Sequence, residues 1–300
     1  MNKNQIMKLV YLYGSIGYFF IFINPLFAQV PLLQPKTNYP TPVPENPPEV
    51  VSAPTNRKIV TFSWENTMQS NFRDFGTSNH ELQAITEFTL DISPIDGTNI
   101  WFYTAGSKNL EGTTHDGTWE DSWAVIESTF YQGDMLTFKL HGKLILPTSE
   151  NSNHINHMDS GYEIYPTFLT KLYKDGEFAI TWRFRPIYQR FFYSEDINEN
   201  DYPNIEQTFR LSNRLQFQFA SWVSFFVRYD FGTKWNSSNE RVNDNWVSWE
   251  YFEFPLNSLL LLRLGHANGG SMYNDSGSRN NVDLYNTKSS VYYATLAFEI

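Results

Sequence analysis

From about Lys58 to the C-terminus, apolar and polar residues alternate with a period of two, so whatever forms here forms from strands. Between Thr208 and Phe219 one face takes Phe209, Leu211, Leu215, Phe217 and Phe219, with Asn213 the exception. The other face takes Thr208, Arg210, Ser212, Arg214, Gln216 and Gln218. Val223, Phe225, Val227, Tyr229 and Phe231 alternate with Ser224, Phe226, Arg228 and Asp230, and Phe178, Ile180, Trp182 and Phe184 alternate with Ala179, Thr181, Arg183 and Arg185. The longer segments run to about 9–11 residues, the length a tilted strand needs to cross a bilayer's hydrocarbon.

Alternation also suits a soluble sheet, so the connections must decide. Strands are expected near 58–68, 82–92, 98–106, 121–131, 134–146, 160–173, 177–191, 205–217, 221–233, 245–254, 257–268 and 289–300. Five gaps are tight turns, among them Ser93-Pro94-Ile95-Asp96-Gly97 and Lys174-Asp175-Gly176. The other six are longer and polar. Short turns at one end and long loops at the other predict an all-β fold, a closed antiparallel up-and-down transmembrane β-barrel of about 12 strands, with ten or fourteen as alternatives.

Composition agrees. Aromatic residues make up 17% of the chain and charged residues only 18%. Beyond the N-terminus no run of 18 apolar residues could form a spanning helix. Cysteine is absent, which excludes disulfides, thiolate metal sites and a lipoprotein anchor. A formal charge of −10 argues against a nucleic-acid partner. No cofactor is expected, since no Gly-rich phosphate loop appears.

Residues 1–28 read as a signal peptide: Lys3 and Lys8 precede the apolar Leu9–Ile23 stretch, with cleavage after Ala28. An uncleaved anchor is the alternative, because Leu26 is not small. Residues 29–57 are Pro-rich and read as an extended periplasmic linker, and 58–300 as the barrel.

The closing segment Val291–Ile300 sets Tyr292, Ala294, Leu296, Phe298 and Ile300 against Tyr293, Thr295, Ala297 and Glu299. With this strand and the loop pattern, the chain resembles the bacterial outer-membrane β-barrel proteins, and more loosely, in architecture alone, the twelve-stranded porins for acidic sugars. The last residue departs from that class, which usually ends in Phe. The resemblance implies a Gram-negative outer-membrane location with both termini periplasmic. It also implies lipid as the surrounding partner and recognition of the C-terminal strand by the barrel assembly machinery. Trp101, Trp123, Trp222, Trp235 and Trp246 are expected in interfacial girdles.

Alternation places Lys139, His141, Lys143, Arg183, Arg185, Arg210, Arg214, Arg228 and Arg263 in the lumen. Glu65, Glu87, Asp91, Glu127, Glu163, Asp230 and Glu250 join them. A basic wall facing carboxylates would favour small anions or zwitterions, which makes a channel the leading functional expectation. Two alternatives stay open. Opposite charges could pair and fill the barrel, leaving a scaffold or adhesin. An outer-membrane lipid hydrolase could use Ser149, Ser152, His154 and His157, although the His-x-Ser-Asn-Gly arrangement of such enzymes is missing. His154 with His157, and the calcium-like run Asp196–Asp201, are weak metal candidates: the first lacks a third ligand and the second lacks the required Gly and Glu.

Overall fold

The computed structural model describes residues 60–71, 82–110, 117–272 and 290–300. The signal peptide and the linker expected before residue 58 lie outside the described residues. Thirteen strands are described: β1 (Val60–Asn71), β2 (Leu82–Ile95), β3 (Thr98–Asn109), β4 (Gly117–Trp119), β5 (Ser122–Gln132), β6 (Leu136–Leu146) and β7 (Met158–Asp175), then β8 (Phe178–Tyr193), β9 (Ile205–Ala220), β10 (Val223–Asn236), β11 (Arg241–Pro255), β12 (Leu260–Ser271) and β13 (Val291–Glu299).

Twelve of these make the wall. Each pairs antiparallel with its neighbours, and β1 pairs with both β2 and β13, so the sheet closes on itself and no edge is left. The short β4 adds to the upper part of β3 at Gly106–Lys108 and was not expected. At the seam, β1 and β13 run in register from Ser63↔Glu299 to Asn71↔Val291. Phe62 and Ile300 exchange backbone hydrogen bonds at 3.1 and 2.9 Å, and the hydroxyls of Thr67 and Thr295 meet at 2.7 Å.

The tight turns follow from their residues. Gly97 and Gly176 take φ of +77° and +58°, a conformation that costs glycine little, and they close β2–β3 and β7–β8. All five tight turns lie at one end of the barrel, together with Val60 and Ile300; the long connections lie at the other.

Outward residues form an apolar band. Phe62, Trp64, Phe102, Ile126, Leu144, Ile164, Phe252 and Leu264 are all exposed. Their rings meet across strands, Phe138 with Phe168 at 5.1 Å, Phe225 with Phe252 at 4.8 Å, and Trp64 with Phe298 at 5.8 Å across the seam. An exposed apolar belt around a closed barrel is the surface that lipid, not water, stabilises. Among the described residues no helix is long and apolar enough to cross a membrane.

Inward residues pack against one another, and glycine makes room where rings crowd. Gly265 on β12 is the tightest case: a Cβ there would come within 2.5 Å of Tyr293 and 2.7 Å of the Tyr251 Cβ. Gly265→Ala is therefore expected to destabilise the barrel by about 1–3 kcal/mol through overpacking, read as a lower midpoint in denaturant unfolding of the refolded protein.

Three expectations need correction. β11 begins at Arg241 rather than near 245, because Arg241 donates to Asp244 and to Thr233 and so extends the pairing beyond the apolar segment. Trp101 and Trp123 are buried on the inward face rather than in a girdle. Glu250 faces outward, where it accepts a 2.9 Å bond at His266 Nδ1.

Candidate functional site

The lumen is where the charges converge. On β8, β9 and β10 the register aligns Arg183 with Arg214 and Arg214 with Arg228, a row of three guanidinium groups at one level. The next inward level aligns Arg185, Ser212 and Asp230. Three neighbouring strands can hold so many like charges because Arg185, Arg210, Arg214 and Arg228 each have local support. Arg228 lies 4.4 Å over the Trp249 ring, Arg214 5.2 Å over Phe226 and Arg185 5.4 Å over Tyr165. Arg228 also holds Asp230 through two bonds, of 3.0 and 2.6 Å. Arg210 stands 3.8 Å from both Asp230 and Glu163, and Arg185 Nε donates to Thr167 at 2.8 Å. Arg183, Arg214 and Arg228 are only 4%, 7% and 6% exposed.

The carboxylates occupy the opposite arc. β1 lies half-way round the barrel from β8, and its Glu65 pairs in register with Glu87 of β2. Tyr103 donates to Glu87 at 2.6 Å, and the Trp101 indole donates to Asp91. Arg263 enters this acidic arc from β12 and bridges Glu65 at 2.7 Å and Glu253 at 3.0 Å.

Between the two arcs, β5 to β7 carry a mixed chain of groups. Glu127 accepts from Lys139 at 3.1 Å and from Asn99 at 3.2 Å, and lies 2.6 Å from His141 Nε2. The other imidazole nitrogen meets Thr167 at 3.3 Å, and the ring stacks on Tyr165 at 4.3 Å. Lys143 sits 4.7 Å over Trp123. Above them, toward the long-loop end, Trp101, Tyr103, Trp123, Val125, Ile145 and Met158 form an apolar cluster.

Thus Lys139, Lys143, Arg183, Arg185, Arg210, Arg214, Arg228, Arg263, Glu65, Glu87 and Asp91 all project inward. The arginines of β8 to β10 line one arc, Glu65, Glu87 and Asp91 with Arg263 line the other, and Lys139 and Lys143 lie between them. Sequence reading missed the supports, namely Tyr165, Thr167, Phe226, Trp249 and Glu253. Nothing in the sequence marks Trp249, because it meets Arg228 only through the β10–β11 register.

The loop candidates have other roles. Ser152, in one π-helical turn spanning Asn151–Ile155, donates to Asp121 at 2.6 Å, and Asp121 also accepts the Ser149 N–H at 3.0 Å. That serine is engaged with a carboxylate, not an imidazole. Asp121→Ala should release this loop, at a local cost of about 1–3 kcal/mol. Faster cleavage at Glu150 by a glutamate-specific protease would report it. In the 196–201 run, the Asn198 side chain accepts the N–H groups of Asn200 and Tyr202, as an Asx turn does, and Asp201 takes φ +62°. Among the described residues no cluster of three or more His, Cys, Asp or Glu could hold a metal.

No protein-family model matches the chain, and no curated relative matches it. Solved structures do. The NanC porin superimposes with a TM-score of 0.52 at 11% identity, covering 80% of this chain and 100% of that one. The COG4313 outer membrane channel from Pseudomonas putida F1 superimposes with a TM-score of 0.57 at 8% identity, covering 85% and 100%. At these identities the likeness is one of fold: this chain has the fold of a porin-like outer-membrane barrel.

Proposed function

We propose that the chain is a bacterial outer-membrane channel that passes small polar solutes and favours anions. The observation that carries this reading is the Arg183–Arg214–Arg228 row, held half-way round the lumen from Glu65 and Glu87. Opposed arcs of charge set a transverse field across the lumen, which orients polar solutes and concentrates anions along the basic wall. The apolar outward band and closed seam support lipid as the surrounding medium.

In this reading the short-turn end, with Val60 and Ile300, faces the periplasm, since outer-membrane barrels carry short turns on the periplasmic side and longer loops outside. The closing strand β13, with its outward Tyr292, Ala294, Leu296 and Phe298, is the segment offered to the barrel assembly machinery.

The test is single-channel recording of the refolded protein in planar bilayers, with the reversal potential taken under a salt gradient. Discrete steps with an anion-selective reversal potential are the expected result. A folded barrel without steps would overturn the channel and favour a scaffold or adhesin acting through its loops.

A further inference from the structure

We propose that Glu127, His141 and Thr167 form a protonation latch that positions Arg185 at a gap in the β7–β8 ladder, so that acid conditions turn this guanidinium out into the lumen. As control of selectivity this rests on the channel reading; as a titration coupled to Arg185 it stands on the geometry of four strands.

The gap comes from two prolines. Among the described residues the β7–β8 ladder breaks between Ile164↔Tyr188 and Phe168↔Phe184. In that register Pro166 stands opposite Pro186, and neither has an N–H to give. Thr167 and Arg185 are the adjoining opposed pair. The 2.8 Å bond from Arg185 Nε to the Thr167 hydroxyl stitches the two strands on the lumen side, where backbone bonds are missing.

Hydrogen donation then runs one way. Thr167 accepts from Arg185, which leaves its own hydrogen for His141 Nδ1 at 3.3 Å. Glu127, 2.6 Å from Nε2, keeps the imidazole proton on that side of the ring. Lys139 and Asn99 anchor Glu127 in turn. His141 and Thr167 are both fully buried, so water does not replace a partner that either one loses.

A second proton on His141 breaks this order. Nδ1 becomes a donor, so Thr167 loses its acceptor and its oxygen faces two cationic donors at once. The imidazolium also stacks on Tyr165 at 4.3 Å, the ring that Arg185 covers at 5.4 Å. His141 is buried and held by Glu127, whereas Arg185 is half-buried, so Arg185 is the group that moves. The groups facing His141 are Glu127 on β5, Lys139 and Lys143 on β6, Glu163 and Tyr165 on β7, and Arg185 on β8. From β3 comes Trp101, 5.9 Å from the imidazole, whose indole donates to Asp91. Among these side chains the imidazole is the one that ordinarily changes charge between about pH 8 and pH 5, and free carboxylates titrate lower.

The test takes the reversal potential of the full-length protein in planar bilayers from about pH 8 to about pH 5, and follows histidine-labelled protein by NMR over the same range. One unit charge in the lumen changes the anion-to-cation permeability ratio roughly fivefold, and wild type should show a rise of that order where an imidazole titrates. His141→Gln keeps a donor and an acceptor without the titration. It should lose this rise while keeping the more acidic limb that carboxylates produce. Thr167→Val should shrink the rise and Thr167→Ser should restore it, a pattern that a merely structural role for Thr167 does not give. The resonance missing from the His141→Gln spectrum should titrate in wild type, with its midpoint moved in Thr167→Val. A His141 resonance that stays put across the range overturns the latch. So does a conducting His141→Gln or Thr167→Val channel with the wild-type pH dependence. Titration of His141, moved by Thr167→Val, in a barrel silent at every pH would remove the channel and leave the latch standing.

Discussion

Replacing Arg263 with Met is expected to cost the barrel about 3–5 kcal/mol, the largest stability loss from any single lumen change considered for this protein. Arg263 projects from β12 and binds Glu253 of β11 on one side and Glu65 of β1 on the other, at 3.0 and 2.7 Å. It therefore ties together strands on both sides of the closing strand β13. Without it, the buried Glu253 and the half-buried Glu65 lose their shared counter-ion, and Glu87, the register partner of Glu65, places a third carboxyl group nearby. The penalty comes from stranded charge, not lost contact area. Restoring neutrality should restore most of the stability, so Arg263→Met with Glu65→Gln and Glu253→Gln is expected to unfold near the wild-type midpoint. Arg263→Lys keeps the charge but not the two-sided fork, and should fall between. Denaturant unfolding in detergent, followed by tryptophan fluorescence, measures all three. A single variant as stable as wild type would show that the bridge contributes nothing.

The architecture was legible because lipid on one side and a polar lumen on the other enforce a strict period of two, and hairpin geometry confines glycine to particular turn positions. All twelve expected wall strands form, with β11 starting four residues earlier and β12 shifted by three, and the inward parity of Arg183, Arg210, Arg214 and Arg228 follows directly from the phenylalanines beside them. Parity failed on β11 for a physical reason. Trp246, Phe252 and Phe254 lie on one face of that strand and Trp249 and Tyr251 on the other, so both faces read as apolar and the charge of Glu250 was wrongly taken as the lumen marker. Trp101 and Trp123 misled in the same way: an aromatic ring near a strand end suits an interfacial girdle, but it suits an inward cluster equally well, and only three-dimensional packing distinguishes them.

The candidate site was legible in identity and not in arrangement. Alternation assigns these charges to one face, wrongly for Glu250, but it carries no information about which strands face each other or about level along the axis. Both depend on closure and register. Arg183, Arg214 and Arg228 form a row only because the β8–β9 and β9–β10 registers align them, and the rings behind Arg214 and Arg228, Phe226 and Trp249, come from β10 and β11. The Glu127–His141–Thr167 chain likewise joins three strands through side chains whose sequence separation hides the contact.

Neutralising the row should change selectivity more than stability if its level controls permeation. Arg183→Gln with Arg214→Gln is the cleaner variant, because Arg228 also holds Asp230 at 2.6 Å and its loss would strand that carboxylate. A unit charge about 8 Å from a permeating ion in water contributes about 0.5 kcal/mol, so removing two should disfavour anions roughly sixfold and favour cations by the same factor, lowering the anion-to-cation permeability ratio roughly thirtyfold. The reversal potential under a salt gradient should move toward zero, while the unfolding midpoint stays close to wild type because the ring stacking of Arg228 and its ion pair with Asp230 remain. Adding Arg228→Gln together with Asp230→Asn should extend the shift without leaving a buried charge. Raising the ionic strength should shrink the difference between wild type and variant, since screening acts on the same field. If the double variant conducts with unchanged reversal potential, the row does not set selectivity. The acidic arc of Glu65 and Glu87, or the apolar cluster around Trp101 and Trp123, would then be the level that an ion must cross.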